Sequence, residues 1–228
     1  MSPRRAAPLP GAAAYAAAAL PRGATPWRTA SYCAVDLELS GLDPRRDEII
    51  AFGAIPIDAA RVRPGDTVAG LVRPERGPSE ASIRVHGLRA ADLAGAPALE
   101  LAIDPLLAAM AGRVPVVHVA SVERGFLRPA LRRLGLRMHR PMIDTSVLGS
   151  IWLHERDGAP SRTLSLGELA GALGLPAHSP HDATGDALTT AQVFLALATH
   201  LDAMRPESVR SLATAGRRLE AMRSYPQR

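Results

Sequence analysis

Apolar and polar positions change their spacing part-way along the chain, from a two-residue alternation to a helical one. From Ser31 to Leu39, Val35, Leu37 and Leu39 fall on one side of an extended chain, the pattern of a strand with one buried face. Ile49 to Ile57 (IIAFGAIPI) is apolar throughout and Thr67 to Val72 is a third extended run. Turns are expected at GLDPRRDE and RVRPGD, where Gly and Pro interrupt the apolar pattern. Three successive strands predict an antiparallel meander. Beyond it, 97–110 has apolar residues at helical spacing, 114–119 is a short buried strand, and 122–134 is helical again. Another short strand is expected at 141–143, with helices at 144–155, 163–173 and 182–203. Strands first, then alternation with helices, predict an α/β fold: a mixed five-stranded sheet flanked by helices.

This core spans 31–203. An Ala/Pro/Arg-rich arm (1–30), read as a surface helix or loose segment, precedes it, and an Arg-rich tail (204–228), read as a peripheral helix with a frayed end, follows it. No internal repeat interrupts the reading. The arm contains Arg4, Arg5 and GAAAYAAAAL but no acidic residue; alanine is too weakly hydrophobic for a secretion signal, and a surface helix is the simpler expectation. No apolar run approaches the length of a membrane span. The lone Cys33 excludes an internal disulfide, fits a reducing, cytoplasmic setting and reads as a core thiol. The formal charge of +5 comes entirely from arginine, there being no lysine, and suits a nucleic-acid partner.

One strand does not fit a plain core. In AVDLEL, Asp36 and Glu38 share the face opposite Val35, Leu37 and Leu39, with like charges roughly 7 Å apart. Burying them requires a compensating cation or a wet strand end. Two further segments carry acids where helices begin. VVHVASVERGFL places Glu123 in a first helical turn, and HDATGDA places Asp186 in another, with His181 just upstream. Taken singly, each reads as an ordinary first-turn acid or cap. Together, Asp36, Glu38, Glu123 and Asp186 form an oxygen-rich set suited to two Mg²⁺ or Mn²⁺ ions, with His181 beside it. Two such ions roughly 4 Å apart stabilise both oxygens of a phosphodiester displacement while a histidine takes the proton of the attacking water.

The residues also resemble a known family. VDLELSGLDPRRDEII is similar to the first motif of the DnaQ-like exonucleases, the DEDD superfamily of ribonuclease H-like fold, usually D-x-E-T-T-G-L-D-P. HVASVERGFL is similar to the second, H-N-A-x-F-D-x-x-F-L, and HDATGDA to the third, H-x-A-x-x-D-A, of the histidine-bearing branch. VHGLRAADL (85–93) and IDTSVLGS (143–150) resemble the family's intervening H-G-I and D-T-x-x-L stretches, so the resemblance covers about 31–200.

What it implies is a 3′–5′ exonuclease acting on single-stranded ends of DNA or RNA, releasing nucleoside 5′-monophosphates with two Mg²⁺ or Mn²⁺ ions. The family's proofreading epsilon branch of bacterial DNA polymerase III makes a polymerase an implied partner. Asp36, Glu38 and Asp186 match the direct metal ligands and His181 the general base. Glu123 stands where aspartate is usual, Val119 replaces an asparagine, Val122 an aromatic residue, and Leu39 the first of two threonines. Leu39, Ser40 and Leu42 match the apolar floor under the terminal nucleotide. His86 is either a substrate-side residue or a turn histidine bonded to local backbone. His118, in an apolar strand, reads as a packed core residue, and Asp144 as the cap of the helix after it; His139, His154, His178 and His200 show no partner pattern. The altered flanks also admit a second reading, a catalytically weakened module of the same fold that binds nucleic acid or a polymerase.

Overall fold

The computed structural model describes residues 9–138, 141–158 and 163–224. Arg4, Arg5, His139 and the last four residues of the tail lie outside the described residues. The chain opens with helix α1 (Pro10–Ala17), whose first free amides, those of Gly11 and Ala12, donate to the Asp104 carboxylate at 3.0 and 2.8 Å. Strands β1 (Ser31–Leu39), β2 (Ile49–Asp58), β3 (Arg61–Val62) and β4 (Val68–Leu71) follow as the expected meander. Short helices α2 (Glu80–His86), α3 (Ala90–Leu93), α4 (Leu99–Ala102) and α5 (Asp104–Met110) lead to strand β5 (Val114–Val117) and helix α6 (Ala120–Arg133). Strand β6 (Ile143–Asp144) runs directly into α7 (Thr145–Asp157), followed by α8 (Leu166–Ala172), α9 (Ala183–Met204), α10 (Val209–Ala213) and α11 (Ala215–Ser224).

The sheet has six strands, in the order β3-β2-β1-β5-β6, with β4 also paired to β2. One more strand is present than the sequence pattern predicts. The region read as a turn, RVRPGD, contributes β3 and a 3-10 turn at Pro64–Asp66, and the hairpin itself is made by Ala59 and Ala60, both at positive φ (50° and 54°). Two alanines carry no signature of that conformation, which glycine or asparagine normally supplies. The helix expected at 97–110 is likewise two helices, broken at Ile103 ahead of Pro105. Helices α2 and α3 lie in a stretch for which the hydrophobic pattern predicts no element.

β1 lies centrally, antiparallel to β2 and parallel to β5, and both its faces are covered. Cys33, Val35, Leu37 and Leu39 pack on the α1, α5 and α6 side. Tyr32 and Ala34 pack with residues of α7 and α9 on the other. Alternation therefore carries Asp36 and Glu38 onto the α9 face at the point where the core ends. Opposite the Glu38–Leu39 step the register shifts: Glu38 faces Ala51 and Leu39 faces Ile49, so Ile50 is an extra residue. A bulge of this kind bends β2 and increases the local twist beside the end of β1 that carries the carboxylates.

Candidate active site

Three chain segments deliver acids to one place. β1 supplies Asp36 and Glu38, the first turn of α9 supplies Asp186, and one carboxylate oxygen from each lies within 4.8 Å of the others. The first turn of α6 supplies Glu123, which stands outside that trio but near enough for its charge to raise Asp36. The four acids expected to gather therefore do so as three plus one. Glu123 is 5% exposed, and its Oε2 is buried with no hydrogen-bond partner.

Burial is the leading cause of every pKa shift here, followed by the repulsion of neighbouring acids at Asp36 and Glu38. Asp36 lies well above the usual carboxylate range through burial and then the charges of Glu123, Asp186 and Glu38. Glu38 is pushed up to about 7 by burial and by Asp186 and Asp182. Burial takes Glu123 to about 8, with a lesser push from Asp144. Asp186 is raised less, because the His181 backbone N–H donates to it. None of the ion pairs among the described residues involves these four acids. Converging carboxylates that no ion pair among the described residues neutralises fit hard divalent ions, which take oxygen ligands.

The backbone explains how distant segments reach this arrangement. Gly53 pairs with Asp36 across the β1–β2 ladder. A Cβ at Gly53 would sit 2.2 Å from the Ala183 carbonyl oxygen, so only glycine lets the start of α9 come this close to β2. Asp182 caps α9, accepting the Thr184 and Gly185 N–H groups at 3.1 and 2.9 Å. His181, in the left-handed region at φ 64°, donates its backbone N–H to Asp186 Oδ2 at 2.9 Å, which fixes the histidine beside the trio. On the other flank Asp144 caps α7 through the Ser146 N–H, as expected. It also accepts the N–H groups of Val119 and Ala120 across the sheet end, at 3.1 and 2.8 Å. That second task pins the start of α6 and hence Glu123. Neither Gly53 nor this role of Asp144 was identified from the sequence; a glycine inside an apolar strand is the one signal that could have pointed to the first.

An open cleft of about 290 Å³ lies against Glu38, between His86 and His181. His86 Nδ1 accepts the Leu88 N–H at 3.0 Å, so the ring is both a turn histidine and a wall of the cleft. Burial and the nearby His181 lower its pKa. Leu42 is 82% exposed at the tip of the 41–48 turn. Leu39 and Ser40 differ from the expected floor. Leu39 is buried in the core, and Ser40 is buried with its hydroxyl accepting the Glu48 N–H at 2.9 Å, because the strand end must close onto the turn. His118 also differs from the fully packed core residue expected. It is half-buried, with Nδ1 at 2.9 Å from the Thr145 hydroxyl and Nε2 at 3.1 Å from the Leu164 carbonyl. The carbonyl can only accept, so the proton sits on Nε2 and His118 ties the segment before α8 to the β5–α6 junction. His178 meets Gln192 and His200 stacks on Trp152, both away from the acids.

Comparison with known proteins agrees with this geometry. The family model described as Exonuclease matches residues 33–194, from β1 into α9. The chain belongs to this exonuclease family. Among curated proteins, a DNA polymerase III PolC-type protein of Thermotoga petrophila is 32% identical over 170 residues, covering 74% of this chain and 12% of the relative. A DNA polymerase III subunit epsilon-like protein of Rhodobacter capsulatus is 32% identical over 204 residues, covering 88% of this chain and 27% of the relative. The chain thus spans a small part of these relatives. Among solved structures, Exonuclease X in complex with 5′ overhanging duplex DNA superimposes with a TM-score of 0.62 at 20% identity, over 81% of this chain and 98% of that one. The fold is that of the exonucleases with a ribonuclease H-like sheet. No helix among the described residues is long and apolar enough to cross a membrane.

Proposed function

We propose that the chain is a 3′–5′ exonuclease that hydrolyses the terminal phosphodiester of single-stranded DNA or RNA and releases nucleoside 5′-monophosphates. The observation that carries this reading is the trio of Asp36, Glu38 and Asp186, whose oxygens converge within 4.8 Å beside His181. Family membership supports it, and so do relatives named for DNA polymerase III, which make a polymerase a proposed partner in the cytoplasm.

Asp36, Glu38 and Asp186 would hold the divalent ions, Mg²⁺ or Mn²⁺, with Glu123 contributing from its buried position. When bound, the ions neutralise the carboxylates and stabilise negative charge on the phosphate oxygens. The remaining work belongs to side chains. The cleft between His86 and His181 receives the terminal nucleotide, with Leu42 as the exposed apolar contact. His181 accepts a proton from the attacking water. The water oxygen bonds to phosphorus as the bond to the preceding 3′-oxygen breaks; that oxygen stays on the shortened strand and takes a proton from solvent. The phosphate leaves on the 5′-carbon of the released nucleotide.

The test is digestion of 5′-labelled single-stranded DNA and RNA with Mg²⁺ and with Mn²⁺. Asp36→Ala and His181→Ala should each abolish laddering from the 3′ end; unchanged laddering in either would refute the assignment. Glu123 standing apart from the trio favours the second reading, a module that binds without turnover. An inactive wild type that still retards labelled oligonucleotide would select it.

A further inference from the structure

A second pocket lies around the end of β1 from the acid cluster. It is a pocket of about 250 Å³ between the 41–48 turn, the segment after β4 and helix α6. Five arginines rim it: Arg45, Arg46, Arg73, Arg76 and Arg133. The carboxylates around them already have partners. Asp47 accepts the Asp43 N–H at 2.8 Å, and Glu48 Oε2 accepts the Glu75 and Arg76 N–H groups at 2.8 and 3.1 Å. Glu75 pairs with Arg133 and Asp43 with Arg46. That leaves Arg45, Arg73 and Arg76 exposed and in no ion pair among the described residues. The floor is apolar, formed by Ile49, Val72 and Phe126, all buried.

We infer that this pocket binds phosphates of a nucleic-acid strand upstream of the scissile bond, an inference that rests on the proposed nuclease reading. Free guanidinium groups over an apolar floor match the two parts of a nucleotide, since guanidinium pairs with phosphate in a fork and a base lies flat on apolar side chains. Position favours a strand over an acidic peptide, which would need no connection to the acids. Ile49 pairs with Leu39, the residue after Glu38. Phe126 is one helical turn beyond Glu123, and Arg133 lies ten residues beyond it, about 15 Å along α6. That reach corresponds to about four nucleotides at the ~3.4 Å spacing of a stacked strand.

The test uses the full chain with Arg73→Ala and Arg76→Ala combined, which removes two guanidiniums and keeps both backbone amides. Binding of a labelled oligothymidylate of about fifteen nucleotides, measured by anisotropy in EDTA, should weaken about tenfold, and the slope of log affinity against log salt should fall by about 1.4 for two lost contacts. With Mg²⁺, KM for the long oligonucleotide should rise while turnover of a trinucleotide stays within about twofold. Unchanged affinity and slope would overturn the inference, as would loss of poly-glutamate binding with oligothymidylate binding intact, which would mark a protein-binding surface. If wild type fails to digest DNA yet the variant loses binding and slope, the pocket assignment stands and the nuclease reading fails.

Discussion

The carboxylate of Asp144 receives the backbone N–H groups of Val119 and Ala120, one on each oxygen, and so holds the junction that launches Glu123 from the far side of the sheet. The same carboxylate accepts the Ser146 N–H and hydroxyl at 2.9 and 2.6 Å. Removing it leaves these donors without their acceptor. Asp144→Ala should cost about 2–4 kcal/mol of stability in urea unfolding. It should also lower kcat more than KM, because Glu123 is displaced while the cleft is intact. Asp144→Asn, which keeps one accepting oxygen, should recover part of both; full activity in the alanine variant would show that α6 does not need the clamp.

Gly53 poses a steric demand of another kind. Its absent Cβ is the space occupied by the Ala183 carbonyl, 2.2 Å from where the atom would be. Gly53→Ala should push the start of α9 outward, carrying Asp186 and His181 from Asp36 and Glu38. The expected result is a stability loss of about 1–3 kcal/mol and at least a tenfold weaker response to Mg²⁺, read by calorimetry. Mg²⁺ uptake equal to wild type would show that the helix accommodates the methyl group without moving its acid.

The acids were legible because charge on an apolar strand is costly, and the alternation of AVDLEL states which face carries it. Glu123 and Asp186 were less so, since a first-turn acid is also what a helix dipole favours. What escaped the sequence depends on approach between segments far apart in the chain. Asp144 and Ala120 are 24 residues apart, and Gly53 meets Ala183 across the fold. The Ala59–Ala60 hairpin escaped for a local reason, because alanine has no preference for the left-handed region that the turn imposes. Leu39 and Ser40 were legible as strand-end residues but not as buried ones, since burial there depends on the bulge and on the turn that folds over them.

Val119 is a β-branched residue held at φ 66° and ψ 66° as the residue before α6. That conformation costs an L-residue about 1–2 kcal/mol, and asparagine tolerates it far better. The family motif usually has asparagine at this place, and the geometry supplies a reason. Val119→Asn should stabilise the protein by about 1 kcal/mol, a rise in Tm of about 2–4 °C. A lower Tm would mean that contacts of the half-buried valine outweigh the backbone strain.

The raised carboxylates set a pH dependence whose sign distinguishes an ion-binding cluster from surface acids. Glu38 and Glu123 have ordinary values of 4.5 and rise to about 7 and about 8 in the folded protein, and Asp36 moves the same way. Between these limits the folded state binds more protons than the unfolded state, so stability is greatest at low pH and is lost as pH rises through the folded values. His86 and His118 act oppositely, because burial lowers their pKa below the usual 6.5 and their contribution grows as pH rises toward that value. Their contribution tails off over about one pH unit above 6.5. In the window from about 6.5 to 8 the acids, which lose their protons at the folded values, outweigh it, and in EDTA the Tm should fall across it. Millimolar Mg²⁺ should restore most of the loss, and more at pH 8 than at pH 6.5, because ions compete with protons for the same oxygens. Glu38→Gln should flatten the EDTA profile and blunt the Mg²⁺ response together. A Tm that holds steady across the window in EDTA, or a Mg²⁺ effect independent of pH, would mean that these carboxylates are already compensated within the protein.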